Sequence, residues 1–399
     1  MNTPTARLMV LLGSGVSLPS RIPGTEQITH AILDEEWWRH SDGQFIPGPD
    51  PNPDLTVRIT ALRIQPFLKL LKERADTYLR ERGLPPSNYE DVYFLAWQLA
   101  EEASLSRLNP ALAPFLEEIR SSCGEWTQPL PLTEEKFTFE RLTSEACHFM
   151  ECVVRQKLWT RSQPKGFDLI LDLARRFAVP GFTIATLNHD TLLETALSDA
   201  GIGFADGFLP PDGDVAFFEP SLLDSPGGIK LLKLHGSRDW RWTRVEEMGE
   251  WRDGYTRVVS GEPWQRRTLS GIMIEHELPA GMLVGTMNKL FDYHFGITQE
   301  VLLRFRRTLR ATDTLVVSGY GWGDFAVNGW LKNWLDAASG HRIVLLHRNP
   351  EAAVRDHAGS HVFPWEYDRW VRDGRLILIR KWLCDTSAEE VLPLLETAP

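Results

Sequence analysis

The chain has 399 residues, 43% of them hydrophobic, with 54 acidic against 43 basic side chains and a formal net charge of -11. That length supports a large core and more than one domain, and the acidic balance excludes a general polyanion binder while leaving room for a local basic face. Its 26 prolines and 30 glycines are ordinary for a globular chain. The apolar run Leu8-Met-Val-Leu-Leu12 is too short for a signal-peptide core or a membrane span, so a cytoplasmic protein is expected. Cys123, Cys147, Cys152 and Cys384 show no paired C-x-x-C spacing, so packed thiols are expected rather than a metal site or a disulfide framework.

Leu8 to Leu12 predicts a buried parallel strand that stops at Gly13-Ser-Gly-Val-Ser17. Thr25 is placed to cap a following helix with Ile28, Ala31 and Ile32 on one face. A strand, a glycine turn and a helix form the geometry in which backbone N–H groups cradle a diphosphate. The pattern then changes. Phe45 to Pro53 reads as a proline-rich loop, followed by helices over Pro66–Arg82, Tyr89–Glu102, Leu112–Arg120 and Glu134–Leu158 with no strand pattern among them. Residues 37–164 are therefore expected to be an all-helical insertion in an α/β domain made of 1–36 and 165–399.

The α/β alternation resumes with a helix over Phe167–Phe177 and a strand over Phe182–Thr186, then a helix through Leu192, Leu193, Ala196 and Leu197 that Gly201 closes. After a loop-rich stretch, Ile229–Leu234 predicts a strand ending at His235-Gly-Ser237. Hairpin and loop are expected from Arg238 up to a strand at Met282–Val284, then a helix within Phe291–Arg310. Thr314–Val317 is another buried strand, stopping at Ser318-Gly-Tyr-Gly-Trp-Gly-Asp324, where Asp324 is placed to cap a helix from Phe325 to Leu335. Strands over Arg342–His347 and Leu376–Ile379 follow, and Thr386 with Glu389 suggests a capping box for a helix over Ser387–Leu395. The expected fold is thus α/β: a Rossmann-like parallel sheet with helices on both faces, plus the helical insertion. Arg304, Arg306, Arg307 and Arg310 form a basic stretch that reads as a solvated helix face, with a partner or oligomer contact as the alternative.

Four strand ends carry polar or glycine-rich signatures: Gly13–Ser17, Asn188–Asp190, His235–Ser237 and Ser318–Asp324. Several such ends on one rim indicate a nucleotide site on a doubly wound sheet. Asp190 alone could equally be a helix cap.

These motifs resemble those of the sirtuin family of NAD-consuming enzymes. Gly13-Ser-Gly-Val-Ser17 is similar to the family's G-A-G-I-S loop, and Ile22-Pro23 falls at its G-I-P. Thr186-Leu-Asn-His-Asp190 with Ala200-Gly201 is similar to T-Q-N-I-D…A-G, and Leu234-His-Gly-Ser237 matches L-H-G-S. Ser318-Gly-Tyr320 resembles the late loop on the adenosine side, and Asn349 lies near the ribose-binding asparagine. Arg21 replaces the family's glycine before Ile22, and no four-cysteine zinc module is visible. The chain therefore looks more like the bacterial sirtuin-type NAD-hydrolysing effectors of anti-phage defence than like a protein deacylase.

What the resemblance implies is NAD as substrate, with no metal. Asn188 would orient the attacking water, His235 would be the general base, and Asp190 would hold the nicotinamide amide or fix Asn188. Gly13, Ser14, Gly15, Ser17, Pro23, Ser237, Ser318, Gly319 and Asn349 would form the binding set. A homo-oligomer, or a second defence protein such as a helicase-type ATPase, is the implied partner, with no nucleic acid and no membrane. An NAD-dependent deacylase is the alternative, and a non-catalytic nucleotide-binding module is a third reading.

Overall fold

The computed structural model describes residues 8–40, 43–49, 58–106, 109–128, 137–159, 162–178, 181–247, 250–259, 267–269, 272–294, 296–355 and 363–396. The first strand, β1 (Leu8–Leu12), is buried along its whole length. Leu8, Val10 and Leu12 enter one apolar cluster while Met9 and Leu11 enter another, so the period-2 alternation of a strand places core on both sides. That is why the run is continuously apolar.

In chain order the following elements are α1 (Thr25–Asp34), the short strands β2 (Trp37–Arg39) and β3 (Phe45–Pro47), and the helices α2 (Arg58–Arg80), α3 (Tyr89–Ala103), α4 (Ala113–Ser122) and α5 (Phe139–Leu158). Then come α6 (Asp168–Phe177), β4 (Phe182–Thr186), α7 (Leu192–Asp199), β5 (Phe204–Ala205), β6 (Val215–Phe217) and β7 (Ile229–Lys233). The strands β8 (Gly236–Glu247), β9 (Glu250–Val258), β10 (Arg267–Leu269) and β11 (Ile272–Met282) follow, with α8 (Lys289–Asp292), α9 (Gly296–Arg310) and β12 (Thr314–Ser318) after them. The chain ends in α10 (Phe325–Ala337), β13 (Arg342–Leu346), α11 (Phe363–Arg372), β14 (Leu376–Ile379) and α12 (Ala388–Glu396).

Seven strands form one parallel sheet in the order β14-β13-β12-β1-β4-β7-β5. Helices cover both faces. Residues of α1, α2, α3, α5, α6 and α7 share the cluster of Val10 and Ile184, while those of α9, α10 and α11 share the cluster of Met9 and Leu315. The expected Rossmann-like α/β sheet is the observed one. Register then aligns the rim: Leu12 pairs with Ser318 and Thr186, and Thr186 pairs with Lys233. The segments after β12, β1, β4 and β7 thus emerge side by side at the carboxyl edge.

The structure corrects several local expectations. β2 and β3 pair as a small antiparallel hairpin inside the stretch read as strand-free, and β3 occupies the start of the proline-rich loop. Where hairpin and loop were expected, a five-stranded antiparallel sheet runs β10-β11-β8-β9-β6, and its long strand β11 ends at Met282 instead of a new one spanning 282–284. In β8 Trp240 and Trp242 alternate with Arg241 and Thr243, but Trp240, Arg241 and Thr243 are all buried and Trp242 is half-buried, so the alternation does not divide a core face from a solvent face. α2 starts before Pro66, which lies inside it. Residues 134–136, where the fourth helix was expected to begin, lie outside the described residues; α5 starts at Phe139, with Thr138 accepting from Arg141 N. Gly24, not Thr25, is the cap of α1, and its N–H donates to Gln27 Oε1. At the tail, Ser387 and Glu390 take the roles expected of Thr386 and Glu389, since Ser387 N donates to Glu390 Oε1. No helix among the described residues is long and apolar enough to cross a membrane.

The first and fourth rim loops cross in close backbone contact. A Cβ on Gly13 would lie 2.5 Å from Gly319 O and 2.5 Å from Tyr320 Cα, both rigid backbone. Gly13→Ala is therefore expected to lose more than about 2 kcal/mol in urea unfolding. Gly124→Ala, where a Cβ meets nothing within 4 Å, should stay within about 0.5 kcal/mol of the parent.

Candidate active site

β4 delivers Asn188 two residues beyond its end, with the Asn188 N–H donating to Thr186 Oγ1 at 3.1 Å. β1 delivers Ser17 through a turn of 3-10 helix over Ser14–Ser20. Ser17 Oγ donates to Asp190 Oδ2 at 2.8 Å and accepts from Asn188 Nδ2 at 3.0 Å. The chain of bonds decides the amide's orientation. Ser17 spends its only proton on the carboxylate, so it needs a donor from Asn188 and the asparagine must present its NH2. Asn188 Oδ1 is left buried with no partner. It lies at the carboxyl rim of the parallel sheet, the edge at which such sheets bind ligands. Asp190 also accepts from Leu192 N at 3.1 Å, so it steadies the entry to α7 while it orients Ser17. Lys233 ties down the same entry, donating to the Asp190 carbonyl and to Glu194 Oε1.

β7 delivers His235, 6% exposed, onto the neighbouring strand end. Its Nε2 lies 2.8 Å from Asp324 Oδ2, which also accepts from Tyr293 Oη at 2.9 Å. Asp324 Oδ1 caps α10 through Val327 N at 2.9 Å, as expected from the sequence. Burial opposes charge on Asp324, yet the His235 ring, Lys289 and the Val327 N–H together hold its carboxyl well below the usual carboxylate range. Burial pushes the His235 imidazole down as well, helped by Lys289 and opposed by Asp324. An ionised carboxylate can only accept, so a neutral His235 donates from Nε2 and keeps its lone pair on Nδ1. The His189 ring sits 6.0 Å from that of His235, centroid to centroid, and burial depresses its pKa strongly.

The remaining expected binding residues divide by environment. Gly13 N donates to Ser318 O at 3.0 Å and Gly15 N to Gly319 O at 2.9 Å, so these two N–H groups serve loop-to-loop packing. Gly319 has φ +64, and a Cβ there would lie 2.5 Å from Val16 N. Ser14 is exposed and Pro23 is half-buried before α1. Ser237 is fully buried and its hydroxyl donates to the His189 carbonyl at 3.3 Å; Ser318 is also buried and donates to Leu346 O at 3.3 Å. Asn349 is exposed beyond β13, two strands away from β1, with Oδ1 accepting from Ala352 N at 3.4 Å. The structure thus joins Ser17, Asn188 and Asp190 by direct bonds, and packs Gly13 and Gly15 on Ser318 and Gly319. It makes no such link to Asn349. Tyr293 and Lys289 were not anticipated, because no motif surrounds them, and Lys289 is held by Glu90 of α3 at 3.1 Å. Among the described residues, no group of three or more His, Cys, Asp or Glu is arranged to hold a metal ion.

Residues 183–363 match the SIR2-like domain family, and the chain is sirtuin-like over that segment. The match includes Asn188, His235 and Asp324 and stops short of the Gly13–Ser17 loop. No curated protein matches the chain. Solved structures similar to it include a complex of a Sir2 homologue with NAD, 14% identical over 97% of this chain and 90% of that one with a TM-score of 0.38. Another is a substituted Sir2 homologue with 2'-O-acetyl ADP-ribose, 14% identical over 98% of this chain and 93% of that one with a TM-score of 0.40.

The buried histidines set a pH dependence of stability. Folded His235 and His189 bind protons less readily than in the unfolded chain, whose histidines titrate near about 6.5. At these two sites the unfolded state therefore takes up protons first as pH falls, and their contribution to stability drops from about pH 7 towards pH 5, opposed by His148, which Cys152 and the Gly43 carbonyl, against burial, raise to about 9. Urea midpoints should fall across that interval, and His235→Gln should flatten the slope. A slope unchanged by His235→Gln would remove this histidine as a contributor.

Proposed function

We propose that the protein is an NAD-using enzyme that hydrolyses NAD to ADP-ribose and nicotinamide, acting in the cytoplasm as the effector of a bacterial anti-phage defence system. The SIR2-like domain supports the NAD-using class. The observation that carries the hydrolytic reading is the unpartnered, buried Asn188 Oδ1, held outward from the Ser17–Asp190 relay. Gly13, Gly15 and Gly319 pack the loops after β1 and β12 against each other, at the strand ends where parallel sheets bind dinucleotides.

Breaking the nicotinamide–ribose bond returns its electron pair to the pyridinium nitrogen and leaves positive charge on the sugar carbon. Asn188 Oδ1 suits both needs that follow: it accepts from a water below that carbon and faces the developing charge. The water oxygen bonds to carbon and its proton passes to a base. His235 supplies that base at Nδ1, while Asp324 anchors Nε2 and Tyr293 anchors Asp324. Asp190 acts through Ser17, as a positioning residue. A homo-oligomer, or a second defence protein such as a helicase-type ATPase, would supply the trigger.

Asn188→Ala is expected to abolish NAD turnover while the protein remains folded, with a melt lowered only by the lost bond to Ser17, and His235→Ala to lose about two to four orders of magnitude. An Asn188→Ala protein that keeps most of its turnover sinks the assignment. Wild-type turnover should persist below about pH 6.5 and fall only as the depressed His235 pKa is passed, since a protonated ring cannot accept. Incubation with NAD, with and without an acetyl-lysine peptide, separates the reactions. Free ADP-ribose without peptide is expected; turnover that requires peptide would make the protein a deacylase.

A further inference from the structure

The amino-terminal rim of the same parallel strands carries a second hollow, about 360 Å³, floored by the starts of β1 and β4 and walled by β7 and α9. Lys230, Arg304, Arg307, Thr183 and Thr308 line it, with Asp224 as its carboxylate. Lys230 and His235 lie on the same extended run, about 16 Å apart at the rise of a β-strand, so this cavity is separate from the catalytic rim. Arg306, Arg307 and Arg310 border an adjoining hollow of about 490 Å³ on α9.

The charges here are not balanced. Arg304 is neutralised by Glu300 and Asp224. Lys230, Arg306, Arg307 and Arg310 form no ion pair or hydrogen bond among the described residues, in a chain whose net charge is -11. Burial lowers the Lys230 pKa, and although Asp224 resists, Arg304 and Arg307 lower it further.

Ordinary helix electrostatics accounts for part of this. Arg307 and Arg310 stand in the last turn of α9, where the helix dipole favours cations by about 0.3–1 kcal/mol. It does not account for Lys230, a half-buried cation on a strand facing two arginines. Clustered like charges destabilise an empty site and are relieved when an anion enters. Two unpaired cations at a small hollow, the Lys230 ammonium and the planar Arg307 guanidinium, with the Thr183 and Thr308 side chains beside them, match the charge and geometry of linked phosphates better than a single carboxylate.

We propose that this cavity binds a small phosphorylated anion of the di- or triphosphate class. The proposal is independent of the NAD reading. Its test is thermal denaturation of the full chain at constant ionic strength, with inorganic pyrophosphate and, in a parallel arm, a nucleoside diphosphate. Wild-type protein should be stabilised in a saturable way, and Lys230→Met and Arg307→Ala should each weaken the apparent affinity at least about tenfold, as expected when one charge-assisted contact is lost. Response to the nucleotide alone would identify a nucleotide ligand, and equal responses a bare polyphosphate; each supports the site. Without ligand, Lys230→Met should melt at or above the wild type, because a repelling cation has gone. The proposal is overturned if neither probe stabilises the wild type, if both variants respond as it does, or if Lys230→Met melts lower.

Discussion

One hydroxyl ties two of the loops at the carboxyl rim of the sheet. Ser17 Oγ, on the loop after β1, bonds to both Asn188 and Asp190, on the loop after β4. Each buried bond of this kind contributes on the order of 1 kcal/mol, but an unmade one costs about 1–3 kcal/mol. The larger consequence is directional. Because the serine has one proton and gives it to Asp190, Asn188 has a single satisfactory orientation, with its carbonyl oxygen unoccupied. The chemistry proposed for the site rests on that orientation.

The glycines at the same edge make the relay possible. Gly13 and Gly15 lie against Gly319 so closely that side chains would displace backbone, and their N–H groups close the contact onto Ser318 and Gly319 carbonyls. The glycine loop therefore brings Ser17 to β4 and the loop after β12 to β1. Two of its N–H groups are thereby already satisfied by backbone carbonyls. The His235–Asp324–Tyr293 group forms the other half of the rim. There the loop after β12 contributes a carboxylate that both caps α10 and fixes the histidine tautomer.

The two rims of the sheet differ in how their charges are satisfied. At the carboxyl rim Lys233 and Lys289 each have a carboxylate partner, Glu194 and Glu90. At the amino rim Lys230 and Arg307 have none among the described residues. A sheet that satisfied its cations throughout would give no reason to seek a second ligand. The contrast within one strand, between Lys233 and Lys230, is what makes the second cavity informative.

Much of this was legible before any tertiary contact. Continuous apolar runs such as Leu8–Leu12 and Thr314–Val317 identify strands buried on both faces, and the polar residues that end them mark the rim, because side-chain periodicity and chain-breaking glycines are local properties. Asn188, Asp190 and His235 were visible for that reason. The antiparallel sheet around β8 was not, since its strands β6 and β11 lie apart from β8 in sequence, β11 pairs with β8 through register shifts, and the polar Arg241 and Thr243 are buried where alternation would place them in solvent. Nor could the sequence alone show that Asp324 serves His235 across 89 positions, that Tyr293 joins them, or which way the Asn188 amide faces. Those are choices among hydrogen-bond partners distant in sequence, and only the packing of the strands brings the alternatives within reach.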